Sequence, residues 1–249
     1  MSALRGCTVL HLDNHVLAIA KPAGMPSCPD DTRDPDALTC CKDFLKERFD
    51  KPGRVFLGLV HRLDRPASGV MVFARTSKAA SRLSESVRER NTKKVYAALV
   101  RGCLSEGGNL EDYIRKEQNR VYVTSTRSQG TKLAQLDYKP MFYCERNQLT
   151  LLQVHLHTGR KHQIRAQLAQ FGHPIVGDTK YGGRHNLWAG ASPDDRGIVS
   201  QIALHAHRLE IPHPIRDKDP LDLHSEVPKS WHALFPYPEA LASISGTKA

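Results

Sequence analysis

The chain has 249 residues, of which 40% are hydrophobic and 25% charged, enough for a buried core and against global disorder. Lys and Arg exceed Asp and Glu by 36 to 26, a net charge of +10 that fits a polyanionic partner and, equally, a merely basic soluble enzyme. No concentrated basic amphipathic helix or membrane-length apolar run is visible, so nucleic acid ranks above membrane and a soluble chain is expected, a monomer favoured over a dimer with both left open.

The six cysteines form no CxxC pair, and no secretory segment is visible, so free thiols in a reducing compartment are expected, the cytoplasm ahead of an organelle matrix. Residues 7–11 and 15–21 (CTVLH and HVLAIAK) are apolar, β-branched runs split by Leu12-Asp13-Asn14, the pattern of an opening hairpin. Lys21-Pro22-Ala23-Gly24-Met25-Pro26 then breaks the strand into a loop. Asp34-Pro35 gives cap then proline for a helix with Leu38, Cys41, Phe44, Leu45 and Phe49 as its buried stripe. Val70 to Ala74 reads as a buried strand, residues 77–90 as a helix with Ala80, Leu83 and Val87 on one face, and 93–100 as a strand.

Residues 107–157 are strand-rich, with Leu152, Val154 and Leu156 alternating against Gln153 and His155. A helix is expected over 159–171, carrying Ile164, Leu168 and Phe171 on one face and stopped by Gly172. Residues 184–200 read as a polar surface loop, 202–211 as a last strand, and 239–249 as a disordered tail. With no repeat and no linker, one α+β domain over residues 1–238 is the simplest account.

The stretch His61-Arg62-Leu63-Asp64-Arg65-Pro66-Ala67-Ser68-Gly69 concentrates four charged or titratable side chains in a turn-forming segment before a buried strand. Loops held by rigid strands are where catalytic groups tend to sit. Taken alone, Asp64 would more often cap a turn and pair with Arg62 or Arg65.

The wider pattern resembles the RluA-type family of rRNA and tRNA pseudouridine synthases. The resemblance runs in family order through Lys21-Pro22-Ala23-Gly24, His61 to Gly69, Lys94-Val95-Tyr96, and His157-Thr158-Gly159-Arg160-Lys161-His162-Gln163-Ile164-Arg165. It continues through Gly172-His173-Pro174-Ile175-Val176-Gly177-Asp178, Tyr181-Gly182, Leu204-His205-Ala206 and His213-Pro214. It implies a mixed, largely antiparallel α+β sheet divided by a basic active-site cleft, and isomerisation of a uridine in structured rRNA or tRNA without metal or cofactor.

The reaction breaks the glycosidic bond, turns the uracil, and rejoins it to the same sugar through carbon 5. It needs an ionised carboxylate at the ribose, and the resemblance assigns this to Asp64, as nucleophile or as base at the sugar. A carboxylate in a closed pocket is driven toward neutrality by desolvation, so a fixed cation must oppose that. The resemblance supplies Arg165, a residue type that never deprotonates and can grip a carboxylate with two donors. Tyr96 matches the tyrosine that stacks on the target base, and Arg62 an arginine that fills the gap left by the extruded base, though it could equally contact phosphate. His61, Lys94, Arg160, His162 and Gln163 are the further expected RNA contacts.

Two positions depart from the family pattern: Ala67 stands where Thr is frequent, and Gln167 where a second His is common. The matching pattern begins within ~20 residues of Met1, too few for a separate amino-terminal RNA-binding domain. RNA recognition is then expected from the basic surface itself, with Arg82, Arg88, Arg90, Lys93 and Lys94 as one candidate patch, or simply a solvated helix face. One rival function is a catalytically silent RNA-binding or ribosome-assembly factor, against which the presence of all of Asp64, Tyr96 and Arg165 counts. The other is a metal-dependent hydrolase using His155/His157 or His205/His207, but neither pair has a third ligand at a recognised spacing.

Overall fold

The computed structural model describes residues 4–118, 120–183 and 201–244; the expected loop over 184–200 lies outside them. In chain order the elements are β1 (Thr8–Leu12), β2 (Val16–Lys21), α1 (Ala37–Arg48), β3 (Gly58–Leu59), β4 (Ser68–Ala74), α2 (Ser77–Arg88), β5 (Lys93–Arg101), β6 (Gly108–Glu117) and β7 (Arg120–Thr124). They continue with β8 (Lys132–Cys144), β9 (Leu149–Leu156), α3 (Gln163–Gln170), β10 (Leu204–Ile211), β11 (Leu221–His224) and α4 (Pro238–Ser243). This is the expected α+β class with largely antiparallel strands. Contacts group the chain into two compact units, Met1–Lys93 with Arg208–Ser225, and Lys94–His207 with Glu226–Ala249. Two of the three boundaries fall at the start of β5 and inside β10, where no linker composition marks them, and the third falls just after β11.

In the first unit, β1 and β2 form the expected hairpin, closed by Asp13, whose Oδ1 accepts the His15 and Val16 amides at 2.7 Å each. β2 pairs antiparallel with β4 from Val16↔Ala74 to Lys21↔Gly69, and every residue of β4 is buried, as its unbroken apolar run predicts. Val16, Ala18, Val70, Val72 and Ala74 pack with Ala79 and Leu83 of α2. The first helix starts later than expected: its cap is Asp36, which accepts the Thr39 amide at 3.0 Å, because Asp34 is bound elsewhere. Phe49 is not part of a buried stripe. It is 44% exposed, with the Arg75 guanidinium 4.7 Å from its ring centroid. All six cysteines are unpaired, and burial pushes the Cys7 thiol up to about 12, so it is inert as a nucleophile.

Asp13 carries a pH dependence. Burial opposes its charge, but hydrogen bonds from His213 (2.8 Å) and the two amides hold its carboxyl well below the usual range. A carboxylate with a depressed folded pKa contributes stability above its unfolded pKa of about 4, and loses it as pH falls through the folded value. Wild-type protein should therefore lose stability below about pH 5. In urea melts Asp13→Asn should be less stable at pH 7 with a flatter acid limb, and parallel limbs would count against the assignment.

In the second unit, β5 pairs with β9, β9 with β8, β8 with β6 and β6 with β7, all antiparallel. Leu152 and Val154 are buried while His155 is exposed, the predicted alternation. α3 lies on one face of this sheet, with Ala166 and Tyr181 packed against Ile114, Val121 and Ala134. It is shorter than expected, since His162 adopts φ 52° and the preceding loop takes its own hydrogen bonds. Phe171 is 42% exposed rather than in the buried stripe, and Gly172, at φ 94°, is the expected stop. The carboxy-terminal segment carries more core than its composition suggests: Leu241 and Ile244 are buried on and beside α4.

Candidate active site

Asp64 opens a turn before β4, closed by the Ala67 amide donating to the Asp64 carbonyl at 3.0 Å. Its neighbours are fastened one by one. The Ser27 hydroxyl donates to the Leu63 carbonyl at 2.7 Å and accepts the Leu63 amide at 3.1 Å. The Arg65 guanidinium donates to Thr32 Oγ1 at 2.9 Å and to Asp34, with Asp30 at 3.6 Å. His61 Nε2 accepts the Val72 amide of β4 at 3.0 Å, so this nitrogen carries no proton.

Lys21, at the end of β2, is the hub of this frame. Its side chain is 1% exposed, and Nζ lies 2.8, 2.8, 2.7 and 3.3 Å from the carbonyl oxygens of Pro22, Met25, Ala67 and Arg65. The Gly24 amide adds a bond to the Arg65 carbonyl at 2.9 Å, from a left-handed conformation (φ 82°) that suits glycine. Burial pushes Lys21 down to about 7, opposed by the Asp64 charge. The ring of carbonyls opposes it too, because only the ammonium has three protons to offer. Asp64 remains partly exposed and Arg62 is exposed, so a rigid frame presents a carboxylate and a cation at its surface.

In the second unit Arg165 is 5% exposed and gripped on one edge by Asp178, with Nε to Oδ2 at 2.6 Å and Nη2 to Oδ1 at 2.8 Å. Its guanidinium carbon lies 5.2 Å from the Tyr181 ring centroid. Tyr181 is itself pinned, its hydroxyl accepting the Val121 amide at 3.1 Å and lying 2.8 Å from His162 Nδ1. The turn holding Asp178 requires Gly183, where a Cβ would fall 2.1 Å from the Ile175 carbonyl oxygen.

Tyr96 is directly opposite Val154, which is opposite Tyr138, and Tyr138 shares its side of β8 with Leu136 and Ala134. Ala134 packs against Ala166 of α3, so Tyr96 and Arg165 come to the same side of this sheet. Lys94, two residues earlier, shares that side, its Nζ 3.9 Å from where a Cβ on Gly159 would stand. Burial pushes its ammonium down, and it has no hydrogen bond or ion pair among the described residues.

The other expected RNA contacts are used within the protein. Gln163 is buried, accepting the Thr158 hydroxyl at 2.7 Å and the Arg160 amide at 3.1 Å while donating to the Gln135 carbonyl at 3.1 Å. Arg160 Nε donates to the Leu133 carbonyl at 3.0 Å. These residues shape the loop before α3. In the first unit Arg82 donates to the Pro214 carbonyl at 2.6 Å and Lys93 pairs with Glu210 at 2.8 Å, so much of that basic patch is tied down. Gln167, in place of a histidine, joins α3 to β6 through Asp112 at 2.7 Å. His157 lies 2.7 Å from Asp137, and among the described residues no group of three or more His, Cys, Asp or Glu is placed to hold a metal ion.

A family model described as RNA pseudouridylate synthase matches residues 15–170, well over half of the chain. The chain belongs to that family. It is 33% identical over 233 residues to ribosomal large subunit pseudouridine synthase D of Yersinia pestis, covering 92% of this chain and 67% of that one. It is 31% identical over 241 residues to tRNA pseudouridine synthase C of Vibrio parahaemolyticus, covering 91% and 93%. The solved structure of human RNA pseudouridylate synthase domain containing 4 superposes with a TM-score of 0.71 at 24% identity over 91% of this chain and 92% of that one. That likeness establishes the pseudouridine synthase fold.

Sequence reasoning quoted Lys21, Asp178 and Tyr181 inside motifs but gave them no role. A signal for the first was present: a lysine closing the apolar run VLAIAK has no solvent to reach and must find acceptors. Ser27 and Asp178 gave none, because their partners lie 36 and 13 residues away.

Proposed function

We propose that this chain carries out its family's reaction, the isomerisation of a specific uridine to pseudouridine in structured rRNA or tRNA, with Asp64 as nucleophile or base at the sugar. The C1′–N1 bond breaks and a C1′–C5 bond forms; C5 loses a proton and N1 gains one, so nothing is consumed and no cofactor is required. The observation that carries the reading is the frame around Asp64, where Lys21, Ser27, Arg65 and His61 immobilise the backbone on both sides of a partly exposed carboxylate. Tyr96 stacks on the extruded uracil, Arg62 fills the gap in the helix or meets phosphate, and Lys94, a partly desolvated cation, takes a backbone phosphate. Arg165 is the arginine that the family's reaction uses. The chain works as a monomer in the cytoplasm, where rRNA and tRNA are found.

Purified protein incubated with rRNA and tRNA is expected to form pseudouridine. Tyr96→Ala should lower kcat/KM by about 10–100-fold, the value of ~1–3 kcal/mol of lost base stacking. RNA affinity should fall linearly in log–log form with added salt. No pseudouridine on either RNA class, or an affinity indifferent to salt, would overturn the reading.

A further inference from the structure

We propose that Asp34 is a positioning residue for the reaction: it holds the Arg65 cation against the loop before α1 and so keeps it from closing on the Asp64 carboxylate. This rests on the reading of Asp64 given under the proposed function. Arg65 follows Asp64 directly in the turn before β4. Its guanidinium is turned toward the loop before α1, where Nη2 donates to Asp34 and Nη1 to Thr32 Oγ1 at 2.9 Å, with Asp30 Oδ2 3.6 Å from Nη1. The Thr32 hydroxyl gives its own proton to Asp30 Oδ1 at 2.5 Å, so toward Arg65 it acts as an acceptor. Arg65 Nε is buried with no hydrogen-bond partner among the described residues, so the two Nη groups alone hold the guanidinium.

The backbone and the side chain of Arg65 are held separately. Its carbonyl accepts the Gly24 amide at 2.9 Å and lies 3.3 Å from Lys21 Nζ, and the turn bond from the Ala67 amide to the Asp64 carbonyl involves no side chain. Removing the Asp34 carboxylate therefore releases a cation without slackening the turn. Asp30 is a weak substitute, being farther away, 40% exposed and already bonded to Thr32. The carboxylate next to the released side chain is Asp64, on the same turn. A guanidinium forked onto that carboxylate takes up the oxygens that the sugar needs.

The test compares kcat and KM for pseudouridine formation by wild type, Asp34→Ala, Arg65→Met and the double variant, each with its melting temperature. Asp34→Ala should lower kcat by about 100-fold, the lower end of what one positioned acid or base contributes. Its KM for RNA should not rise, because losing a carboxylate weakens no grip on phosphate. Arg65→Met deletes the cation together with its bonds and should lose less. The double variant should match Arg65→Met within about twofold, so that the second change restores activity the first removed. If Asp34 only braced the turn, removing it would cost no more than removing the arginine, and the double variant would be no better than Asp34→Ala. Should Asp34→Ala fail to fold, Asp34→Asn, which keeps the shape without the charge, takes its place with the same expected rescue. Wild-type kcat in a folded Asp34 variant, or a double variant no more active than the single one, overturns the proposal. Wild-type protein inactive on all RNA instead overturns the parent reading, so the two failures are distinguishable.

Discussion

Asp64→Asn should fold and bind RNA like the wild type yet form no measurable pseudouridine, a loss beyond about 10⁴-fold, the upper reach of one positioned acid or base. The reason lies in the frame. The turn bond uses the Asp64 carbonyl, and the neighbouring anchors use Lys21, Ser27 and Arg65, so exchanging carboxylate for amide leaves these bonds in place. The amide can neither attack a sugar carbon nor take a proton from the sugar. Thermal melts, RNA binding and pseudouridine yield on the same preparation separate the possibilities. A variant that still makes pseudouridine would remove Asp64 from the chemistry, and one that loses RNA binding as well would recast it as structural.

Lys21→Met should be the most destabilising single change in the first unit. It leaves the carbonyls of Pro22, Met25 and Ala67 without the donor that holds them at 2.7–2.8 Å. Stranding buried acceptors costs ~1–3 kcal/mol each before relaxation, so a loss of about 3 kcal/mol is expected, or roughly 6–12 °C in melting temperature for a chain of this size. Activity should fall further than stability does. At temperatures where the variant is still folded, the slack turn presents Asp64 less accurately, so kcat should drop more than KM rises. Lys21→Arg should not rescue it, because a planar fork cannot converge on four carbonyls arranged around a point charge. A Met variant that melts within about 1 °C of wild type would show that the carbonyl ring needs no cation.

Local pattern carried far in this chain because most elements are decided by short-range physics. The β1–β2 hairpin follows from two apolar runs around Asp13, and β4 from an unbroken apolar stretch buried on both faces. Pattern failed where a side chain had a distant partner. Asp34 has the sequence context of a helix cap, yet Arg65, 31 residues away, claims it, and Asp36 caps α1 instead. Phe49 and Phe171 fit helical stripes, but both helices end before them.

The candidate site divides in the same way. Asp64, Tyr96 and Arg165 stand in contiguous motifs and are proposed from them. Their supports could not be, since Ser27 to Leu63, Lys21 to Ala67 and Arg165 to Asp178 are tertiary contacts with no periodic signature. The division into two units was hidden for a related reason: each is assembled from separated segments, with two of the three boundaries inside β5 and β10.

The central claim is that Asp64 drives uridine isomerisation in structured RNA. Position-resolved pseudouridine mapping of rRNA and tRNA treated with wild-type or Asp64→Asn protein tests it most directly. The account predicts conversion at one or a few defined uridines with wild type and none with the variant. Identical maps from the two proteins, whether modified or blank, would contradict it.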